Sequence, residues 1–269
     1  MNNGNKKRIF ISADIEGTAG AFLWEAGRKG TEEYNRQCRI MTEEVLSVVG
    51  ALNEKYKSCE IMIKDAHATG NNLDITAFPE NCSIISGWDD GPYGMMQELD
   101  DSYDFAVLIG YHSGAGTGGA PLAHTLNSRK YSSVELNGVK ISEFVLSYYT
   151  ALMAGVPIAL VSGDYALCQE IEAYDQSIYT VAVQEGRGGS VITRSPEKVK
   201  SLLRETVIGM SEPFLRGKMP DEFHLKIVYN SHSDAVRNSY YPGCICTAPK
   251  TIEYTTNDFY EILRTFVFI

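Results

Sequence analysis

At 269 residues, with 44% hydrophobic and 22% charged side chains, the chain has the composition of an ordinary globular protein and enough length for a sizeable core. Its 34 acidic against 24 basic residues give a net charge of −10, which argues against nucleic acid and anionic membrane as partners and mildly favours metal cations. The opening MNNGNKKRIF holds no apolar h-region, and the most apolar long stretch, VLSYYTALMAGVPIALV at 145–161, is broken by Gly155 and Pro157. Neither a secretory signal nor a membrane span is therefore expected.

The first element is a strand in RIFISAD (8–14), and the chain then runs through Asp14, Glu16 and Gly17. In an extended chain, residues i and i+2 share a face, so Asp14 and Glu16 are expected to project together. Two such carboxylates repel unless a cation sits between them or one keeps its proton. A solvated turn with Asp14 as a cap is the alternative. Residues 31–56 have helical periodicity through Tyr34, Met41, Val45, Val48 and Leu52. CEIMIKDAH (59–67) and YDFAVLIGYH (103–112) are strands, apolar enough to be buried on both faces.

In VELNGVKI (134–141) an Asn-Gly pair between short alternating runs predicts a hairpin with a type I′ turn. A helix from Ile141 or Ser142, the strand VPIALVSGD (156–164), a helix around 165–174 and the strand IYTVAV (178–183) follow. Ser195 as N-cap and Pro196 at the first helical position open a helix expected to reach about Leu215. Strands near 223–230 and 249–254 and a closing helix from about Asn257 complete the chain. Strands alternating with helices predict an α/β fold with a mainly parallel sheet flanked by helices. With no repeat or linker, a single domain over 1–269 is expected, with a smaller C-terminal α/β lobe from about residue 196.

In such sheets ligands bind beyond the carboxyl ends of the strands. Here those ends carry Asp14 and Glu16, then His67, then His112, and Glu143 lies in the first turn of the helix after the hairpin. These carboxylates and imidazoles are the ligands that zinc takes in hydrolytic sites, and they also suit manganese or iron. If Asp14 bridges two ions, each ion has three protein contacts and room remains for a shared water. Structural roles are open to each residue alone: Asp14 as a turn cap, Glu143 complementing a helix dipole, His67 and His112 as loop histidines bonded to backbone. Asp65, two residues before His67, is placed to orient it. His232 reads as a loop residue and His224 as a structural one within a strand. The glycine-rich GAGTGG lacks the Lys-Ser/Thr of a phosphate-binding loop. Six scattered cysteines (Cys38, Cys59, Cys82, Cys168, Cys244, Cys246) form no framework and read as reduced thiols of a cytoplasmic protein.

The run SADIEG, then DAHATGNNLD, GYH, AHT and ISEF, in that order, resembles the zinc-dependent D-aminopeptidase family, of the type encoded with a Bacillus dipeptide-transport operon. The likeness extends to MTEE at 41–44, ISGWDD at 85–90, AGVPIALVSGD at 154–164 and TAPKTIEYTTNDFYE near the end. The resemblance implies a binuclear zinc site in which Asp14 bridges, Glu16 and His67 complete one metal, and His112 and Glu143 the other. It also implies a catalytic His124, acting as nucleophile or as acid/base. It implies a ring-shaped homo-oligomer, a decamer, and a metallo-aminopeptidase that removes N-terminal, preferentially D-, amino acids from short peptides and amides. The rival readings are an amidohydrolase acting on cell-wall fragments or another small amide, and a non-catalytic small-ligand binding protein of the same fold.

Overall fold

The computed structural model describes residues 6–269, so part of the stretch read for a secretory signal lies outside the described residues. The larger sheet begins with β1 (Lys7–Ala13), β2 (Cys59–Asp65), β3 (Cys82–Ile85) and β4 (Phe105–Tyr111), all parallel. Across its order β3-β2-β1-β4-β7-β8-β9 the chain first walks outward from β1 and then returns to β1's other side with β4. The carboxyl ends of β1 and β4 therefore flank a topological switch point, where a crevice opens. β7 (Ile158–Asp164) and β8 (Tyr179–Arg187) continue the parallel sheet, and β9 (Ser190–Thr193) closes it antiparallel.

Both faces of the sheet are covered, as the near-continuous apolar strands require. Along β1, Ile9, Ile11 and Ala13 pack under α1 (Glu32–Lys55) with Val45, Val48 and Leu52, together with Leu203 of α4 (Pro196–Gly209). Phe10 faces the other way, toward Leu108, Phe144 and Val145. α3 (Tyr165–Tyr174) links β7 to β8.

The second sheet is antiparallel, ordered β11-β12-β10-β5-β6. Its hairpin comes from mid-chain: β5 (Tyr131–Leu136) turns into β6 (Val139–Lys140) through Asn137 and Gly138, whose φ of 52° and 81° are those a type I′ turn needs. β10 (Phe223–Tyr229), β11 (Ile245–Ala248) and β12 (Thr251–Thr256) supply the rest, with α5 (His232–Asn238) and α6 (Phe259–Phe268) alongside. β5 pairs with β10 through Leu136↔Leu225 and Val134↔Ile227. The small lobe thus draws on both 131–140 and 223–256, while α4 packs on α1 and β8 of the large sheet.

Three local expectations change. α4 stops at Gly209 rather than near Leu215, because Met210 is extended, Ser211-Glu212-Pro213 follows, and Lys55 Nζ takes the Ile208 and Met210 carbonyls at 2.8 and 2.6 Å. His232 opens the short helix α5 instead of lying in a loop. β1 ends at Ala13, so Asp14 and Glu16 sit in the turn beyond it. Among the described residues no helix is long and apolar enough to cross a membrane.

Candidate metal centre

Asp14 and Glu16 follow β1, His67 follows β2, and His112 directly follows β4. Glu143 is the first residue of α2 (Glu143–Ala154), whose start the hairpin fixes, since Ile141 N–H donates to Val134 O at 2.9 Å. The five side chains meet in the crevice, each at least nine-tenths buried. His67 Nδ1 lies 2.9 Å from Glu16 Oε2 and 3.4 Å from Asp14 Oδ1. His112 Nε2 lies 3.5 Å from Asp14 Oδ2 and 3.8 Å from Glu143 Oε1. Asp14 thus faces both histidines, one through each carboxylate oxygen.

His124 joins this group. Its Nε2 is 3.7 Å from Glu143 Oε1, and its ring stacks on His112 at 4.3 Å with an interplanar angle of 10°. Ligand atoms of His112, His124 and Glu143, and separately of Asp14, Glu16 and His112, lie within 4.8 Å of one another, spacing that suits a shared cation.

The backbone settles which ring nitrogens face inward. A carbonyl can only accept, so a ring nitrogen against one carries the proton. His67 Nε2 donates to Gly27 O at 2.9 Å, His112 Nδ1 to Ser113 O at 3.0 Å, and His124 Nδ1 to Leu122 O at 2.8 Å. Each histidine, when neutral, therefore turns a lone pair toward the carboxylates, as metal-ligating imidazoles do. With His67 neutral, its Nδ1 has no proton to give Glu16 Oε2, and that oxygen and His112 Nε2 are then buried without a hydrogen-bond partner. Orphaned acceptors aimed into one crevice are what a missing cation leaves, so the donor set fits zinc.

Charge is strained accordingly. Burial, and then the Glu16 charge, push the Asp14 carboxyl up to about 8. Burial acts on Glu16 in the same sense, but the adjacent His67 outweighs it and holds that carboxyl well below the usual range. Burial opposes a charge on His67 and His112, yet the facing carboxylates raise them to about 12 and about 9. His124 goes the other way: burial, and then the charge of His112, lower its pKa.

The supports of the site lie partly outside the strand ends. Gly17 N–H donates to Gly110 O at 2.8 Å, and a Cβ on Gly17 would come within 1.8 Å of Tyr111 O, so the two strand ends cross where only glycine fits. Asp65 does not touch the His67 ring; it accepts Asn72 and Leu73 N–H groups at 2.5 and 2.8 Å and shapes the loop that carries His67. On α1, Gln37 Nε2 holds Ala19 O at 2.9 Å, and Glu44 Oε1 accepts Ala19 N–H at 2.9 Å while its Oε2 has no partner. Burial pushes the Glu44 carboxyl up to about 8. Trp24 meets His124 edge-on at 5.5 Å. Neither Gly27 nor Trp24 carries any local signal of its role, because each meets a histidine far along the chain.

The pattern of the peptidase M55 family, described as D-aminopeptidase, matches residues 7–268. The D-aminopeptidase of Bacillus subtilis (strain 168) is 28% identical over 263 residues, covering 94% of this chain and 93% of that protein. The solved structure of the Zn-dependent D-aminopeptidase DppA from Bacillus subtilis, described as a self-compartmentalizing protease, superposes with a TM-score of 0.85 at 26% identity, covering 97% of this chain and 95% of that one.

Proposed function

This chain belongs to the peptidase M55 family of D-aminopeptidases, and we propose that it is a two-zinc hydrolase releasing N-terminal, chiefly D-, amino acids from short peptides and amides. The observation that carries this is the inward lone pairs of His67, His112 and His124 around Asp14, Glu16 and Glu143, each ring fixed by a backbone carbonyl behind it. Glu16 and His67 would hold one ion, His112 and Glu143 the other, and Asp14 would reach both. When bound, zinc supplies Lewis acidity toward the scissile carbonyl and the attacking water.

The remaining work falls to the chain. His124, kept neutral by burial and by His112, accepts a proton at Nε2 and returns it to the leaving amine. The Leu122 carbonyl fixes its tautomer, and Trp24 limits its swing. Glu143 Oε1 is held in place by the Leu126 N–H at 2.6 Å, which also ties the loop behind His124 to α2. A cavity of about 290 Å³ above these groups has room for a small peptide end.

The proposed assembly is a homo-oligomer, which the description of the solved relative as self-compartmentalizing supports, and a decamer is the size that the family resemblance implies. The six free thiols fit a cytoplasmic setting.

The test pairs elemental analysis with amine release from matched D- and L-amino acid amides and dipeptides. About two zinc ions per chain are expected, and Asp14→Ala should lose both, whereas Glu16→Ala and Glu143→Ala should each weaken mainly one. Full metal in Asp14→Ala removes the bridging assignment, and no amine release from any substrate removes the hydrolase reading.

A further inference from the structure

Two further cavities share walls with the central one, the first through Leu126 and Glu143 and the second through Glu16 and Arg129, and they differ in chemistry. On one side, about 310 Å³ is lined by Met95, Leu126, Leu146, Leu263 and Phe266, with Glu143 at its inner wall. On the other, about 670 Å³ is lined by Arg28, Lys29 and Arg129, with Glu16 at its inner wall. Arg129 also lines the central cavity. Apart from Glu16, which faces His67, Glu25 is the one carboxylate on the cationic side. Among the described residues, Arg28, Lys29 and Arg129 form no ion pair, in a chain whose net charge is −10.

The backbone of Arg129 is nonetheless fixed. Its N–H donates to Asn127 Oδ1 at 3.0 Å, and Asn230 Nδ2 donates to the Ser128 and Arg129 carbonyls at 3.2 and 3.0 Å. Asn230 N–H donates to Lys130 O at 2.9 Å, so the small lobe clamps the turn on both sides of the residue. The backbone is thus pinned while the exposed guanidinium is uncommitted and available to a carboxylate, which it can bind bidentately.

We propose that Arg129, with Arg28 and Lys29 behind it, binds the C-terminal carboxylate of a short peptide whose apolar N-terminal side chain occupies the opposite cavity. The inference rests on the hydrolase reading above and adds direction and substrate class to it. In an aminopeptidase one residue lies on the amino side of the broken bond and the remainder on the other. The smaller, apolar cavity fits the single residue, and the larger, cationic one fits the remainder and its terminal charge. Arg129 lines the central cavity as well, so the carboxylate it reads is that of a peptide only two or three residues long.

The experiment compares kcat/KM of the zinc-loaded protein on an apolar dipeptide, the same dipeptide amidated at its C-terminus, and the amino acid amide. Wild type should prefer the free carboxylate at least tenfold. Arg129→Ala should lower kcat/KM for the free dipeptide by about 10–100-fold, mostly through KM, the loss of a charged hydrogen-bonded partner. The amidated dipeptide should suffer far less, and Arg129→Lys should restore part of the preference. Equal wild-type rates on free and amidated dipeptides, or equal losses on both in Arg129→Ala, overturn the proposal while amide hydrolysis keeps the hydrolase reading. Absence of amine release from all three overturns both.

Discussion

Gly17→Ala is the sharpest test of how the fold builds the site. The added Cβ would lie 1.8 Å from Tyr111 O, 2.6 Å from Tyr111 C and 2.7 Å from Gly110 C, all backbone atoms that no rotamer change can move aside. Gly110 is equally confined on its own side, with Asp14 O at 2.2 Å from where its Cβ would be. Relief requires the turn after β1 and the end of β4 to separate by about 1 Å or more, a shift of the size that costs a positioned active site on the order of 10²-fold. That motion parts Asp14 and Glu16 from His112, now 3.5 Å from Asp14. The variant should bind markedly less zinc, lose at least about 10²-fold in kcat/KM, and melt below wild type even with metal present. Elemental analysis, amine release and thermal melting check it. Full zinc and wild-type turnover in Gly17→Ala would refute the claim that this glycine sets the spacing between the strand ends.

Glu44→Gln tests the buried support beneath the Glu16 turn: a folded carboxyl raised to about 8 costs stability progressively as pH climbs from the ordinary carboxylate range toward 8. The melting temperature of the variant relative to wild type should therefore rise with pH across that window, and a pH-independent difference would count against a buried, protonated Glu44. His124→Ala should keep its zinc and melting temperature yet lose about 10²–10⁴ in kcat, the range for a positioned proton-transfer group. Loss of one ion would instead make His124 a ligand, as its spacing to His112 and Glu143 permits, and unchanged kcat would remove it from the reaction.

The convergence of the candidate residues was legible because they lie where local pattern and a topological rule coincide. Asp14, Glu16, His67 and His112 each stand just past an apolar run, and the carboxyl-edge rule for parallel sheets gathers such positions together. Glu143 was legible because the Asn-Gly turn fixes where the next helix begins. His124 follows no strand, and only the family resemblance singled it out. The short edges escaped notice for a physical reason: β11 is exposed along its whole length and leaves no alternation to read. The hairpin at 131–140 was visible, but its partner was not, since pairing Leu136 with Leu225 is decided by tertiary packing rather than by either segment. Gly27 was equally invisible, because its role is to accept from His67, 40 positions away.

The site's charges argue for a cation independently of the family. Asp14, Glu16 and Glu143 are buried together, and no lysine or arginine pairs with any of them among the described residues. Buried carboxylates need compensating charge or a proton of their own, and three sources are in reach: a proton on Asp14, protons on His67 and His112, or a bound metal ion. The protonated arrangement is an incomplete answer: it joins His67 Nδ1 to Glu16 Oε2 at 2.9 Å but leaves His112 Nε2 without a hydrogen-bond partner, 3.5 Å from Asp14 Oδ2. A cation placed between the carboxylates and the imidazole lone pairs would remove the repulsion and engage His112 Nε2 as well. It does so without moving the backbone carbonyls that already hold the outer ring nitrogens. Among the described residues the arginine and lysine side chains of the neighbouring cavity form no ion pair, so in the proposed reading metal and peptide would neutralise different parts of two cavities that share Glu16 and Arg129.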